Sequence, residues 1–219
     1  MMFFFPKTVE TRISKINGTI SVIKLFGKWS INAGGYTQSG GLVESIWKSV
    51  LVGIKKTERL VKPRILILGL GAGSSAGISA ALWKDAKLTG IEIDPLMIKL
   101  GKTYLHLDQI ANLRIIQSDA IAWIKKRAID KRQPLFDLIL VDLYLGGTAA
   151  PQVREPDFLK AINRLLKTNG LALFNYLIRS GDPLGPAGMK RALEETFAQV
   201  ERLPSPANAI FSVGKRASK

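Results

Sequence analysis

Apolar and polar positions along the chain follow two rhythms, and the change between them falls at Pro63. Before it, "TRISKINGTISVIK" (residues 11–24) alternates apolar and polar positions beyond Asn17-Gly18, a pair suited to the positive φ angles of a tight hairpin. "GKWSINAGG" keeps the period of two, with Trp29 and Ile31 on one face and Lys28 and Ser30 on the other. Together these segments predict a small antiparallel β unit over residues 8–35. "GLVESIWKSVLVGIKK" then places Leu42, Ile46, Val50 and Ile54 at helical spacing, which predicts an amphipathic helix.

Beyond Pro63, short apolar runs alternate with helix-length stretches. The runs are "RILILGL", "KLTGIEI", "LRIIQS", "FDLILVD" and "GLALFNYL", mostly without polar alternation, as strands covered on both faces require. Helices are expected near 75–84, 95–105, 119–129 and 155–168. Strand and helix in alternation imply a parallel sheet with right-handed crossovers. "FAQVERLPSPANAIFSVGK" adds two further strands around a proline-containing turn. The expected architecture is α/β: a doubly wound, mostly parallel Rossmann-like sheet preceded by a small N-terminal antiparallel β unit. Residues 1–40 are expected to form the β unit, 41–62 a connecting helix, and 63–219 the α/β domain.

Composition narrows the classes. A chain of 219 residues with 47% hydrophobic content can bury a substantial core. The absence of cysteine removes disulfides, thiolate metal sites and a cysteine nucleophile, and it suits a reducing, cytoplasmic compartment. No metal site is expected. The apolar run before Pro6 is shorter than a signal-peptide core, and no later run reaches membrane-span length, so no membrane partner is expected. The net charge of +15 attracts nucleic acid at long range, but no nucleic-acid motif supports that partner. The one dense basic cluster, "KKRAIDKR" at 125–132, reads as a solvated helix end and loop.

Candidate chemistry gathers where the strands end. In "RILILGLGAGSS" glycines occupy alternate positions, Gly69, Gly71 and Gly73. The dinucleotide fingerprint needs glycine at its sixth position, and Ser74 stands there. A nucleoside cradle and a plain strand-to-helix turn both remain open readings of the turn alone. Glu92, closing the next strand, is placed to hold a ribose, and Asp119 after the third strand to meet an adenine amino group. Asp142 ends the fourth. The dull alternatives are a helix cap for Asp119 and solvation for Glu92 and Asp94. Gathered at one sheet edge, these groups favour a nucleoside site.

In order along the chain, "GGYTQSGG", "ILILGLGAGSSAG", "GIEIDPLMIKLGKTYLHLD", "IIQSDAIAWI", "FDLILVDLYLGG" and "FLKAINRLLKTNGLALFN" resemble the spermidine synthase-like branch of the class I S-adenosylmethionine-dependent transferases. The resemblance implies that Gly69, Gly71, Gly73, Glu92, Asp119 and Ala120 bind the nucleoside. It implies that Asp142 reaches the reacting centre with Tyr36 and Gln38 nearby. It also implies S-adenosylmethionine or its decarboxylated form as donor, a small amine as acceptor, and a homodimer.

Three departures mark the sequence. Polyamine synthases of this family carry G-G-G-D-G, and Ala72 takes the place of the aspartate. Leu145 stands where a second carboxylate follows the first, and Trp47 and Lys48 replace a Tyr-His pair. An aspartate beside the donor tail favours the ammonium of decarboxylated S-adenosylmethionine and repels the α-carboxylate of the intact form, so Ala72 removes that repulsion. The resemblance puts aminopropyl transfer first, methyl transfer second, and a non-catalytic nucleoside- or nucleic-acid-binding role third. His106 is expected on a helix remote from the strand tips, and the Trp and Phe residues in the core.

Overall fold

The computed structural model describes residues 5–130, 132, 135–145, 148–178, 182 and 184–215, without the side chain of Leu145. Four strands open the chain: β1 (Lys7–Ser14), β2 (Gly18–Leu25), β3 (Lys28–Ala33) and β4 (Tyr36–Gly40), paired in that order as an antiparallel sheet. Its strands run beyond the 8–35 stretch that the alternation marks, to the end of β4 at Gly40. Gly34 and Gly35 adopt φ of 57° and 80°, so they turn the chain into a further strand instead of ending the sheet. One face of this sheet buries Ile20, Val22, Ile31 and Ala33 in a cluster with Ala72, Met97 and Leu100 of the following domain.

Helix α1 (Gly41–Thr57) leads into a seven-stranded sheet of order β12-β13-β11-β8-β5-β6-β7. Its strands are β5 (Arg64–Leu68), β6 (Lys87–Glu92), β7 (Leu113–Gln117), β8 (Phe136–Val141), β11 (Leu166–Tyr176), β12 (Gln199–Leu203) and β13 (Ala209–Gly214). β13 is antiparallel to both β11 and β12, and the ladders from β11 through β7 are parallel. The unbroken apolar runs have a simple cause. Ile65, Ile67, Leu138 and Leu140 face Ile46, Trp47, Val50, Leu51 and Ile54 of α1, while Leu66, Leu68, Ile139 and Val141 join Ile124, Phe158, Leu159 and Leu193 on the other side. Side chains alternate across a strand, so both faces must be apolar.

Helices α2 (Ser74–Leu82), α3 (Pro95–Tyr104) and α4 (Ala120–Ile129) follow β5, β6 and β7. The expected helix at 155–168 is shorter: α5 (Pro156–Leu165) stops where Leu166 pairs with Phe136, and an irregular stretch precedes the pairing of Leu171 with Leu138. Tertiary pairing overrides helical spacing there. His106 is not helical. It sits exposed after α3 at φ 54°, bonded to Gln109. The short hairpin of β9 (Tyr144–Leu145) and β10 (Thr148–Ala149), and α6 (Gly185–Thr196), have no counterpart in the sequence reading. In the basic cluster, Lys125 and Lys126 are exposed on the last turns of α4, and Lys131 lies outside the described residues. Among the described residues no helix is long and apolar enough to cross a membrane.

Candidate active site

A cavity of about 310 Å3 opens along the carboxyl ends of the parallel strands, where open α/β sheets bind ligands. Its floor is Gly69 and Gly71 after β5, Glu92 at the end of β6, Ala120 after β7, Asp142 after β8, and Asn175 and Leu177 at the end of β11. The N-terminal sheet supplies its outer wall through Asn17, Tyr36 and Gln38, and α1 adds Leu42, Val43 and Ile46.

The glycine turn is shaped by backbone contact. Gly69 and Leu70 donate to the Ile91 carbonyl at 3.1 and 2.9 Å, which ties the turn to β6. At Gly69, with φ 82°, a Cβ would lie 2.1 Å from the carbonyl oxygen of Asp142, so the close approach of two loops requires glycine. Gly71 donates its N–H to Glu92 Oε2 at 2.7 Å, and Asp94 donates its own to Oε1 at 2.9 Å. Burial is the main influence on Glu92 and raises its pKa above the usual carboxylate value; these backbone donors pull it back.

Asp142 has two donors of its own. Trp47 gives its indole N–H to Oδ2 at 2.7 Å, and Asn175 gives an amide N–H to Oδ1 at 2.7 Å. Asn208 in turn donates to Asn175 Oδ1 at 2.8 Å. Burial pushes the Asp142 pKa up, and the bonds from Trp47 and Asn175 oppose that rise. Tyr144 donates to the Asn175 carbonyl at 2.7 Å and accepts from the Leu177 N–H at 2.6 Å, so its hydroxyl is spent on holding the strand end.

Of the candidate residues, Tyr36, Gln38, Gly69, Gly71, Glu92, Ala120 and Asp142 line one cavity. Gly73 and Asp119 do not. Gly73 caps α2 at φ 103°, and a Cβ there would come within 2.4 Å of Leu107. Asp119 is exposed and caps α4 by accepting from the Ala122 N–H at 2.8 Å. Ala72 is fully buried in the seam beneath the N-terminal sheet, off the cavity wall. The side chain of Leu145 and the whole of Gly146 and Gly147 lie outside the described residues. Trp47, expected only in the core, is buried and yet bonds the carboxylate. Asn175 carried the same signal as Asp142, a polar residue closing an apolar strand, and Asn208 carried none. Among the described residues no group of three or more His, Asp or Glu stands together as a metal site.

No family model matches the chain. Over 99% of its length it superposes on spermidine synthase bound to the transition-state analogue AdoDATO, with TM-score 0.76, 17% identity and 77% of that chain covered. It has a spermidine synthase-like class I transferase fold. Spermidine synthase from Thermotoga maritima gives TM-score 0.75 at 16% identity, covering 99% of this chain and 76% of that one. Human methyltransferase-like protein 13 in complex with SAH gives 0.67 at 19%, covering 82% and 84%. In sequence, the polyamine aminopropyltransferase of Vibrio vulnificus is 30% identical over 112 residues, 51% of this chain and 37% of that protein. The eEF1A lysine and N-terminal methyltransferase homolog of Drosophila pseudoobscura pseudoobscura is 26% identical over 167 residues, 73% of this chain and 25% of that protein. The chain thus matches well under half the length of these two curated relatives. Both kinds of relative use this fold for alkyl transfer, and in this chain the fold puts Glu92 and Asp142 at one strand edge.

Proposed function

We propose that the protein transfers an aminopropyl group from decarboxylated S-adenosylmethionine to a small amine. One observation carries this reading. In a chain of net charge +15, the described cavity wall holds two carboxylates, Glu92 and Asp142, and neither lysine nor arginine. Such a wall suits a cationic donor and a basic acceptor, and among the described residues it offers no side-chain cation to an α-carboxylate. The nucleoside then lies over β5, β6 and β7 with its ribose on Glu92, and the sulfonium points toward Asp142. The amine lone pair attacks the propyl carbon bonded to sulfur; the C–N bond forms, the C–S bond breaks, and the electron pair leaves on sulfur as neutral methylthioadenosine. Asp142 orients the amine and takes the proton that the new ammonium releases. The wall residues Tyr36 and Gln38 border that centre. Lack of cysteine supports a cytoplasmic setting, and exposed Val9, Ile13 and Phe26 on the N-terminal unit support a homodimer.

Competition binding of the decarboxylated and intact donors tests the reading. The decarboxylated form is expected to bind more tightly, with methylthioadenosine released when an amine is supplied. Glu92→Ala should weaken both donors by about 1–3 kcal/mol, the cost of a lost buried hydrogen-bond partner. Tighter binding of the intact donor, with methyl transfer to an acceptor, establishes the second reading, which the methyltransferase relatives support.

A further inference from the structure

The cavity changes character along its length, and strand order makes the change legible. From β7 through β6 and β5 it is lined by the glycine turn, Glu92 and Ala120; from β8 through β11 toward β13 it is lined by Asp142, Asn175 and Asn208. Glu92 lies at the first end with each oxygen already accepting a backbone N–H. Asp142 is therefore the sole carboxylate of the second end. No other can reach it from the residues left undescribed, because none of those is Asp or Glu. Asp182, the remaining acid near the end of β11, is held by the Tyr176 hydroxyl and lies 3.8 Å from Arg154. Tyr176 and Asn175 are consecutive in a strand and point to opposite faces, so Asp182 is turned away from the cavity.

Past Asp142, the polar groups are the amides of Asn175 and Asn208 and the Tyr144 hydroxyl, which is already bonded to the Asn175 carbonyl and the Leu177 N–H. Asn208 spends one N–H on Asn175 and, among the described residues, its carbonyl oxygen has no protein partner. Leu42, Val43, Ile46 and Leu177 complete that end. One ammonium can be matched there by Asp142. A second would exchange its water shell for neutral amides and aliphatic carbon, an unfavourable exchange for an unpaired charge.

Resting on the aminopropyl-transfer reading above, we infer that the acceptor carries a single amine, the reacting one, and a neutral hydrogen-bonding tail, and that a diamine is disfavoured. Asp142 faces that nitrogen, which reacts as the free amine in the step above, and Asn208 with its amide neighbour takes a hydroxyl or amide of the tail.

Calorimetric titration with a matched pair, 4-amino-1-butanol and 1,4-diaminobutane, tests this with and without methylthioadenosine. The amino alcohol is expected to bind roughly tenfold or more tightly than the diamine. Leu42→Asp adds a carboxylate at a half-exposed position in the first turn of α1, where an acid also suits the helix dipole. It should move the preference toward the diamine by several-fold, and Leu42→Asn should not. Asp142→Asn should remove binding of both amines. Equal or tighter binding of the diamine by the native protein, or binding of neither amine, overturns the inference. Failure of methylthioadenosine to bind overturns the donor assignment instead, because the amine preference is still read from the free protein.

Discussion

At the scale of single residues, the proposed chemistry turns on how Asp142 is held. Burial raises its pKa, and the Trp47 and Asn175 donors work against that rise. Its proposed role requires the ionised form, so transfer activity should fall as pH drops through a value above the ordinary one for an aspartate. Trp47→Phe keeps an aromatic ring in the core and deletes one of the two donors. The pKa of Asp142 should then climb further, moving the acid limb of kcat/KM to higher pH, with a stability loss of about 1–3 kcal/mol for a bond to a charged group. A pH–rate profile paired with urea unfolding measures both, and an unmoved acid limb would show that the indole only fills space. Gly69→Ala acts on the same carboxylate from the backbone side. A Cβ 2.1 Å from the Asp142 carbonyl oxygen, on a residue at φ 82°, must push the two loops apart. It should cost about 1–3 kcal/mol of strain and most of the nucleoside affinity, read by thermal unfolding and methylthioadenosine titration.

At the scale of elements, the first hairpin is clamped to the start of α3. Asp94 is buried and accepts from Ser14 Oγ, from Asn17 Nδ2 at 2.7 Å and from the Leu96 N–H at 2.9 Å. Its own N–H holds Glu92, and Asn17 lines the cavity. One side chain therefore caps a helix, anchors a hairpin and neighbours the proposed ribose carboxylate. Asp94→Ala should destabilise the protein by about 1–3 kcal/mol and weaken nucleoside binding as well, since both ends of the clamp border the site. Denaturant unfolding and methylthioadenosine titration of the same variant separate the two effects. Full nucleoside affinity in a destabilised variant would show that the clamp serves folding alone.

At the scale of the whole molecule, the N-terminal sheet is part of the site and part of the core at once. It covers Ala72, Met97 and Leu100 and carries Tyr36 and Gln38 into the cavity wall. A truncation lacking residues 1–40 should aggregate, because it uncovers that apolar seam and leaves the cavity open. Light scattering and a nucleoside titration check this; a soluble, monomeric truncation that binds methylthioadenosine would show the sheet to be dispensable.

The alternation of apolar runs and helix-length stretches after Pro63 already determined the parallel sheet, because strands buried on both faces leave an unbroken apolar signature. Polar residues closing those runs, Glu92 and Asp142 among them, likewise marked the strand edge where a ligand can sit. Other assignments needed the tertiary structure. The place of Asp119 in its family motif does not distinguish an adenine contact from a helix cap; the cap, its bond to the Ala122 N–H, is visible only in the tertiary structure. Ala72 looked like a choice of donor tail, yet packing of the N-terminal sheet turns it into a seam residue. The Trp47–Asp142 bond joins residues 95 positions apart, and the Asn175–Asp142 bond joins residues 33 apart. Periodicity reports which face of its own element a side chain occupies. Which distant carboxylate that face then meets is set only when α1 docks across β5, β8 and β11.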